Sequence, residues 1–241
     1  MRIVLDADHL ERLISPERFA TYVAECAGDR ERAVDLYHWT GRLSGALTED
    51  LRCLEVVYRN TVHQALTAHH QHLAGRPYGT AWFDEPAWVK HHWWDPPARH
   101  ALNEARQRAG HRPPTRSRPG AVVAELNFGF WRYVIAARYE QSFWIPALDQ
   151  RFRGLPGRRP GQRRAHLESR VQVLHKLRNR IAHHEPIFKP TQFLGTGGTP
   201  ISYTIADQAD MLTEILDWID PDCANWLRTA TTVPTIQATR P

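Results

Sequence analysis

The 241-residue sequence is poor in cysteine, methionine and lysine, and it has no long apolar run. Its three cysteines, Cys26, Cys53 and Cys223, have no Cys-x-x-Cys spacing. An odd, scattered set excludes a disulfide scaffold and suits a reducing cytoplasm. No stretch reaches the roughly 20 apolar residues of a membrane span. The N-terminal Met-Arg-Ile-Val-Leu-Asp-Ala-Asp is too short in its apolar run and too acidic for a signal peptide. Repeats and strand-helix alternation are also missing, which argues against solenoid and α/β classes. The expectation is an all-α cytoplasmic protein that does not enter a membrane.

Aromatic residues are plentiful. Nine tryptophans, eight phenylalanines and seven tyrosines exclude intrinsic disorder and supply a large core. The formal charge of +5 is unevenly placed. Between Arg151 and Arg180 ten lysines or arginines face one acid, Glu168, a local balance of +9; between Arg99 and Arg118 six face Glu104, or +5. The other 191 residues therefore carry −9. Of the 31 basic residues 28 are arginine, whose planar fork matches phosphate geometry.

Ser15-Pro16-Glu17 has the signature of a helix start, and the helix runs to Cys26 and ends near Gly28. From Asp29 to about Leu73 apolar residues recur three and four apart, with Leu43, Leu47, Leu51, Leu54, Tyr58, Val62 and Leu66 on one face; a break is expected near Gly41 and Gly45. Gly75 to Asp95 is aperiodic, and its tryptophans 82, 88, 93 and 94 are expected in the core. Helices follow from Pro96 to Gly110, over Leu126–Ile135 and from about Arg163 to Glu185. Basic loops lie at 111–120 and 153–161, the second of them mobile, and a short hairpin is expected through Ile201–Ile205. Asp207–Ile219 and Asp222–Ala230 are closing helices, and the end beyond them is expected to be loose. Residues 1–190 read as the helical domain, with 191–241 packing on it.

The late helix carries Leu177-Arg178-Asn179-Arg180-Ile181-Ala182-His183-His184-Glu185-Pro186. On a wheel of about 100° per residue with Leu167 at zero, Val171, Leu174, Leu177 and Ile181 fall within about 80° of it, and Arg178 at about 20° lies inside that apolar stripe. A buried arginine needs a partner, a cleft or a ligand. His183 lies at about 160° and His184 at about 260°, so the wheel does not choose between them. Joining Arg178 and His183 at one phosphate requires distortion of the helix end or a second copy across a symmetric interface. Upstream, Glu55, Arg59 and His63 recur every four residues with Asn60 beside Arg59; Glu55 can hold Arg178, or pair within its own helix with Arg59.

Arg-Asn-Arg-Ile-Ala-His-His-Glu at 178–185 resembles the Arg-x4-6-His signature of HEPN ribonucleases. With Leu54-Glu55-x3-Arg59-Asn60 upstream and Phe128-Gly129-Phe130-Trp131 between, the order is similar to the Abi-like (abortive infection) family of phage-defence proteins. The resemblance spans about Ser15 to Phe188. It implies a HEPN-like helical bundle with additional peripheral helices and loops, a homodimer, and metal-independent endoribonuclease activity with no cofactor. It further implies Arg178 and His183 as the catalytic pair, with Asn179, His184, Glu55, Arg59 and Asn60 supporting them. RNA is the implied substrate, and an antitoxin or a phage-derived trigger the implied further partner.

The residue types suit that chemistry. Attack of a ribose 2′-hydroxyl on phosphorus needs a base near neutral pH, which histidine supplies, and a cation for the phosphate oxygens, which arginine supplies. Arg158, Arg159, Arg163, Arg164 and Arg180 are the expected RNA-backbone contacts. Neither His69-His70-x-His72 nor His91-His92 has a neighbouring zinc-ligand set, so no metal is expected. The alternatives are a non-catalytic HEPN-fold RNA-binding or toxin-antitoxin regulatory module, and a purely structural interaction protein.

Overall fold

The computed structural model describes residues 6–74, 81–84, 94–112, 116–194 and 198–241. Two short helices, α1 (Ala7–Ile14) and α2 (Pro16–Glu25), lead into α3 (Arg30–Ala74), a 45-residue helix about 68 Å long at 1.5 Å per residue. The face predicted from periodicity, Leu43 through Leu66, is buried. The expected break at Gly41 and Gly45 does not occur. A Cβ at either position would meet no atom within 4 Å, so these glycines lie on an open side, while Leu43, Ala46 and Leu47 stay packed on the other. The roughly 1 kcal/mol that each glycine costs a helix is small beside that burial.

The chain continues through α4 (Pro96–Arg108), α5 (Pro119–Glu125), α6 (Phe128–Val134), a π-helical segment (Glu140–Leu148), α7 (Pro160–Ala182), β1 (Thr191–Leu194), β2 (Pro200–Tyr203), α8 (Ile205–Ile219), α9 (Pro221–Ala230) and α10 (Val233–Gln237). The fold is all-α apart from the antiparallel β1–β2 ribbon, in which Thr191 faces Tyr203 and Leu194 faces Pro200. Helix starts follow the sequence. Ser15, Asp95 and Asp220 each accept a backbone N–H three residues on and precede a proline that needs no N–H partner; Asn127 caps α6 in the same way, from Phe130 at 2.9 Å. The π segment contains Pro146, which cannot donate to the helical ladder, and it buries Phe143, Trp144 and Leu148.

α3 is the spine. Helices α1, α2, α5, α6, α7, α8, α10 and the π segment all touch it. Trp82, Trp94, Trp131 and Trp144 are fully buried, and Trp94 packs within ring-centroid distances of 4.8 Å of Phe143 and 5.5 Å of Phe130. The predicted core role thus holds for Trp82 and Trp94; Trp88, Trp93, His91 and His92 lie outside the described residues. The loop starting at His111 is less exposed than expected. His111 is buried, its Nε2 2.6 Å from Asp84 Oδ1, while its Nδ1 accepts the Arg118 N–H. The chain end is not loose either: α10 buries Val233 and Ile236, Trp39 Nε1 donates to the Ile236 carbonyl at 2.6 Å, and Thr231 donates to Asp50. No helix of the described residues is long and apolar enough to cross a membrane.

His63 on α3 accepts the Trp82 indole N–H at Nδ1, 3.1 Å away, and burial pushes its pKa below the ordinary histidine value. The fold therefore holds the neutral ring. Stability from this site is complete above about pH 6.5, where the unfolded ring titrates, and is lost as pH falls. Urea unfolding of the wild type should show stability declining from about pH 6.5 toward 5, with a shallower decline in His63→Gln. An unchanged slope in the variant would remove His63 from the acid response.

Candidate functional site

Helix α7 ends three residues earlier than predicted, and it ends in a specific way. The Glu185 N–H bonds the Arg180 carbonyl and the His184 N–H bonds the Ile181 carbonyl, both at 2.9 Å, a Schellman closure with His183 as the cap. Its left-handed position, which usually holds glycine, is occupied by His184 at φ 55°. The Arg18 guanidinium of α2 donates to the His184 carbonyl and ties the turn down from the other side. Pro186 follows the closure rather than causing it.

Arg178 is not buried. Its side chain is 45% exposed, and its Nε lies 3.4 Å from Glu55 Oε1. The arginine inside the buried surface is Arg180, because at this end of α7 the cover comes from β1 and α8, which lie on the side that Leu177 and Arg180 face. Arg180 donates to Thr191 Oγ1 at 2.7 Å, to the Pro186 carbonyl at 3.0 Å and to Glu185 at 3.2 Å. Thr191 passes the chain on to Gln208 at 3.1 Å. Arg180 is thus a structural anchor, which corrects its expected place among the RNA contacts.

The other expected basic contacts divide. Arg163 is held by Asp149 and by the Asp149 and Phe152 carbonyls, and buried Arg164 by Glu140, Glu168 and the Ile135 carbonyl. Arg170 pairs with Glu214. Five of the ten cations of the +9 window thus pair with acids from outside it, and Arg163 and Arg164 join Arg180 as structural groups. Arg158 and Arg159 remain exposed. They precede α7, so about 35 Å of helix separates them from the histidines.

The structure brings Glu55 and Arg178 together across α3 and α7, in favour of the interhelical pairing. Arg59 reaches Glu55 only through its charge; its Nε is buried without a hydrogen-bond partner, and Asn60 is exposed. Burial raises the Glu55 pKa, with Arg178 and then Arg59 pulling it partly back. Glu55, Arg52, Thr48, Arg178 and Ala182 line a cleft of about 280 Å³. Asn179 is half-buried and its carbonyl accepts the His183 N–H; His183 itself is exposed.

His184 lies in a second cleft, of about 610 Å³, with Arg18, Tyr37, His38 and Ser44. Sequence reasoning missed Arg18, Tyr37, His38 and Ser44. They stand about 140 or more residues before the motif and carry no local signal of their own. Both clefts open along one side of α3, the first over residues 48–55 and the second over 37–44, and both are closed by the end of α7. Among the described residues no three His, Cys, Asp or Glu side chains cluster as a metal site.

No protein family, curated protein or solved structure matches the chain.

Two substitutions separate anchor from strain. Arg180→Ala leaves Thr191 and the Pro186 carbonyl without their donor and should cost about 3 kcal/mol in urea unfolding. His184→Gly relieves the left-handed strain and should stabilise by about 1 kcal/mol. A glycine variant less stable than wild type would show that the imidazole's contacts outweigh the strain.

Proposed function

We propose that the protein is a metal-independent endoribonuclease, of the HEPN type that its Arg-Asn-x3-His-His motif resembles. The observation that carries this reading is Arg178, a half-exposed guanidinium held by Glu55 at a cleft that adjoins the strained His183-His184 turn. Strain kept at a polar cleft is common where backbone geometry serves a ligand. In this reading Arg178 carries the phosphate oxygens through its remaining N–H donors as negative charge builds on them. A histidine of the 183–184 turn removes the 2′-hydroxyl proton. The products are a 2′,3′-cyclic phosphate and a 5′-hydroxyl. Exposed Arg158 and Arg159 add backbone contacts further along the strand. A homodimer, a role in phage defence, and an antitoxin or phage-derived trigger rest on the resemblance alone.

Purified protein incubated with total RNA in EDTA tests this. Wild type should cut, and Arg178→Ala should lose about 10²–10³ of the rate, as removal of a transition-state donor does. His183→Ala and His184→Ala decide which ring acts. Cleavage that EDTA abolishes, or that survives loss of Arg178, sinks the mechanism. RNA bound but uncut by the wild type supports the non-catalytic binding module instead.

A further inference from the structure

The groove that Glu55 and Arg178 share continues beyond them. Residues 38–44 of α3 meet the turn at 184, and residues 48–55 meet 178–182, so α3 and α7 run antiparallel. Arg59, one turn past Glu55, therefore comes level with His175, one turn before Arg178. Helix α6 closes this stretch. Tyr58, next to Arg59, donates from its hydroxyl to the Trp131 carbonyl at 3.4 Å, and its ring centroid lies 6.1 Å from that of Phe128. The His175 ring meets the same turn of α6, its centroid 5.9 Å from Phe128, and a Cβ on Gly129 would stand only 3.3 Å from His175 Nε2. Arg132 is three residues past Gly129 and four past Phe128, on the face of α6 that meets His175. The Phe128-Gly129-Phe130-Trp131 block thus brings Arg132 beside His175, with the glycine clearing room for the ring.

Two guanidiniums of this stretch have no acceptor. Among the described residues neither Arg59 nor Arg132 makes an ion pair, and the Nε of each is buried without a hydrogen-bond partner. Arg132 has the Tyr133 ring, 5.6 Å away, and the nearby acids are taken, Glu55 by Arg178 and Glu168 by Arg164 and Gln172. A buried donor without an acceptor is costly, and a bound anion removes that cost. Burial, then Arg132 and Arg178, push the His175 pKa below the ordinary histidine value, so the ring is neutral with one N–H to offer. The charged and titratable groups around it are Arg132 of α6, Glu168 and Arg178 of its own helix, and Glu55, Tyr58 and Arg59 of α3.

We infer that Arg59, Arg132 and His175 form a subsite for the phosphate next to the one that Arg178 takes, so that an RNA strand lies along the α3–α7 groove. The inference rests on the ribonuclease reading for the phosphate at Arg178. One helical turn, about 4.5 Å along the axis, separates His175 from Arg178. A stacked nucleic-acid strand sets its charges ~3.4 Å apart along its axis, and an unstacked one sets them farther apart, so successive turns suit successive phosphates. The two guanidiniums give charge-assisted N–H bonds to the phosphate oxygens, and the imidazole adds another donor. None of the three moves a proton. The subsite binds and sets the register of the strand, while Arg178 and the histidine turn act on the neighbouring phosphate.

The test uses the full chain in EDTA, with circular dichroism as the folding check and a 2′-O-methyl oligoribonucleotide as the binding probe. Arg59→Ala and Arg132→Ala should each weaken binding about tenfold and flatten the slope of log affinity against log salt by about 0.7, the share of one phosphate contact on a single strand. Arg132→Lys keeps the charge and should keep the slope. Inorganic phosphate should shift the His175 imidazole resonance and raise its pKa, a response that Arg132→Ala weakens. On a dinucleoside monophosphate, which has no neighbouring phosphate, Arg132→Ala should cut as fast as wild type; on a longer strand its kcat/KM should fall about tenfold. An unchanged salt slope with an unmoved His175 resonance overturns the subsite and leaves Arg132 to packing. An equal loss on the short and the long substrate also overturns it, by placing Arg132 on the scissile phosphate. A wild type that binds as expected but cuts nothing overturns the ribonuclease reading and leaves the subsite standing.

Discussion

The motif end of α7 depends on one buried guanidinium. Removing a cation from water costs several kcal/mol unless its hydrogen bonds are replaced, and Arg180 replaces them with a hydroxyl, a carbonyl and a carboxylate from three positions beyond the helix. Thr191 extends the network to Gln208, whose amide donates to the Tyr203 and Thr204 carbonyls at the start of α8. Helix end, ribbon and closing helix are fixed by one polar chain. The His183-His184-Glu185 turn lies between this anchor and Arg18, so the left-handed residue is held from both sides. A backbone conformation that costs about 1 kcal/mol persists where its surroundings over-determine it.

The charge pattern shows what a linear sequence hides. A window from Arg151 to Arg180 reads as +9, yet Asp149, Glu140, Glu214, Glu55 and Glu185 all lie outside it and neutralise arginines within it. Three of these pairs join positions 24 to more than 100 residues apart, beyond the reach of a local count. What survives without a carboxylate partner among the described residues is Arg151, Arg153, Arg158 and Arg159 before the helix, all exposed, and Lys176 within it, which donates to the Gln192 carbonyl. The excess thus lies mostly on four exposed arginines that precede α7, a helix length from the histidines, with Lys176 alone beside the motif.

Elements were legible where the signal was local. The period of α3, the Ser15-Pro16 start, the opening at Pro96 and the α6 helix despite its β-branched and aromatic content all follow from residues within a few positions of one another. Three features were not legible for one shared reason. Gly41 and Gly45 stay helical, the chain end docks on Trp39, and the buried face of α7 rotates from Arg178 to Arg180, each because a distant element supplies the packing. The Glu55–Arg178 pair was only half legible: Glu55 had Arg178 and Arg59 as alternative partners, and the buried stripe expected to demand the pair does not contain Arg178. The cleft around His184 was not, because Arg18 and His38 acquire meaning only when α2 and α3 meet the end of α7.

Two arginines separated by one residue thus have opposite characters. Arg180 makes three bonds in a dry site, and any competing ligand would have to replace all of them while exposing Thr191 and Gln208. Arg178 has one carboxylate partner at 3.4 Å, on a side chain nearly half exposed, an arrangement worth no more than about 1 kcal/mol. Burial works against Glu55 carrying its charge, which weakens that hold further. An anion reaching the cleft competes with a single, poorly solvated carboxylate. The cation that the fold leaves exchangeable is therefore Arg178, and the one that it fixes is Arg180, an order opposite to the one that helical periodicity alone assigns.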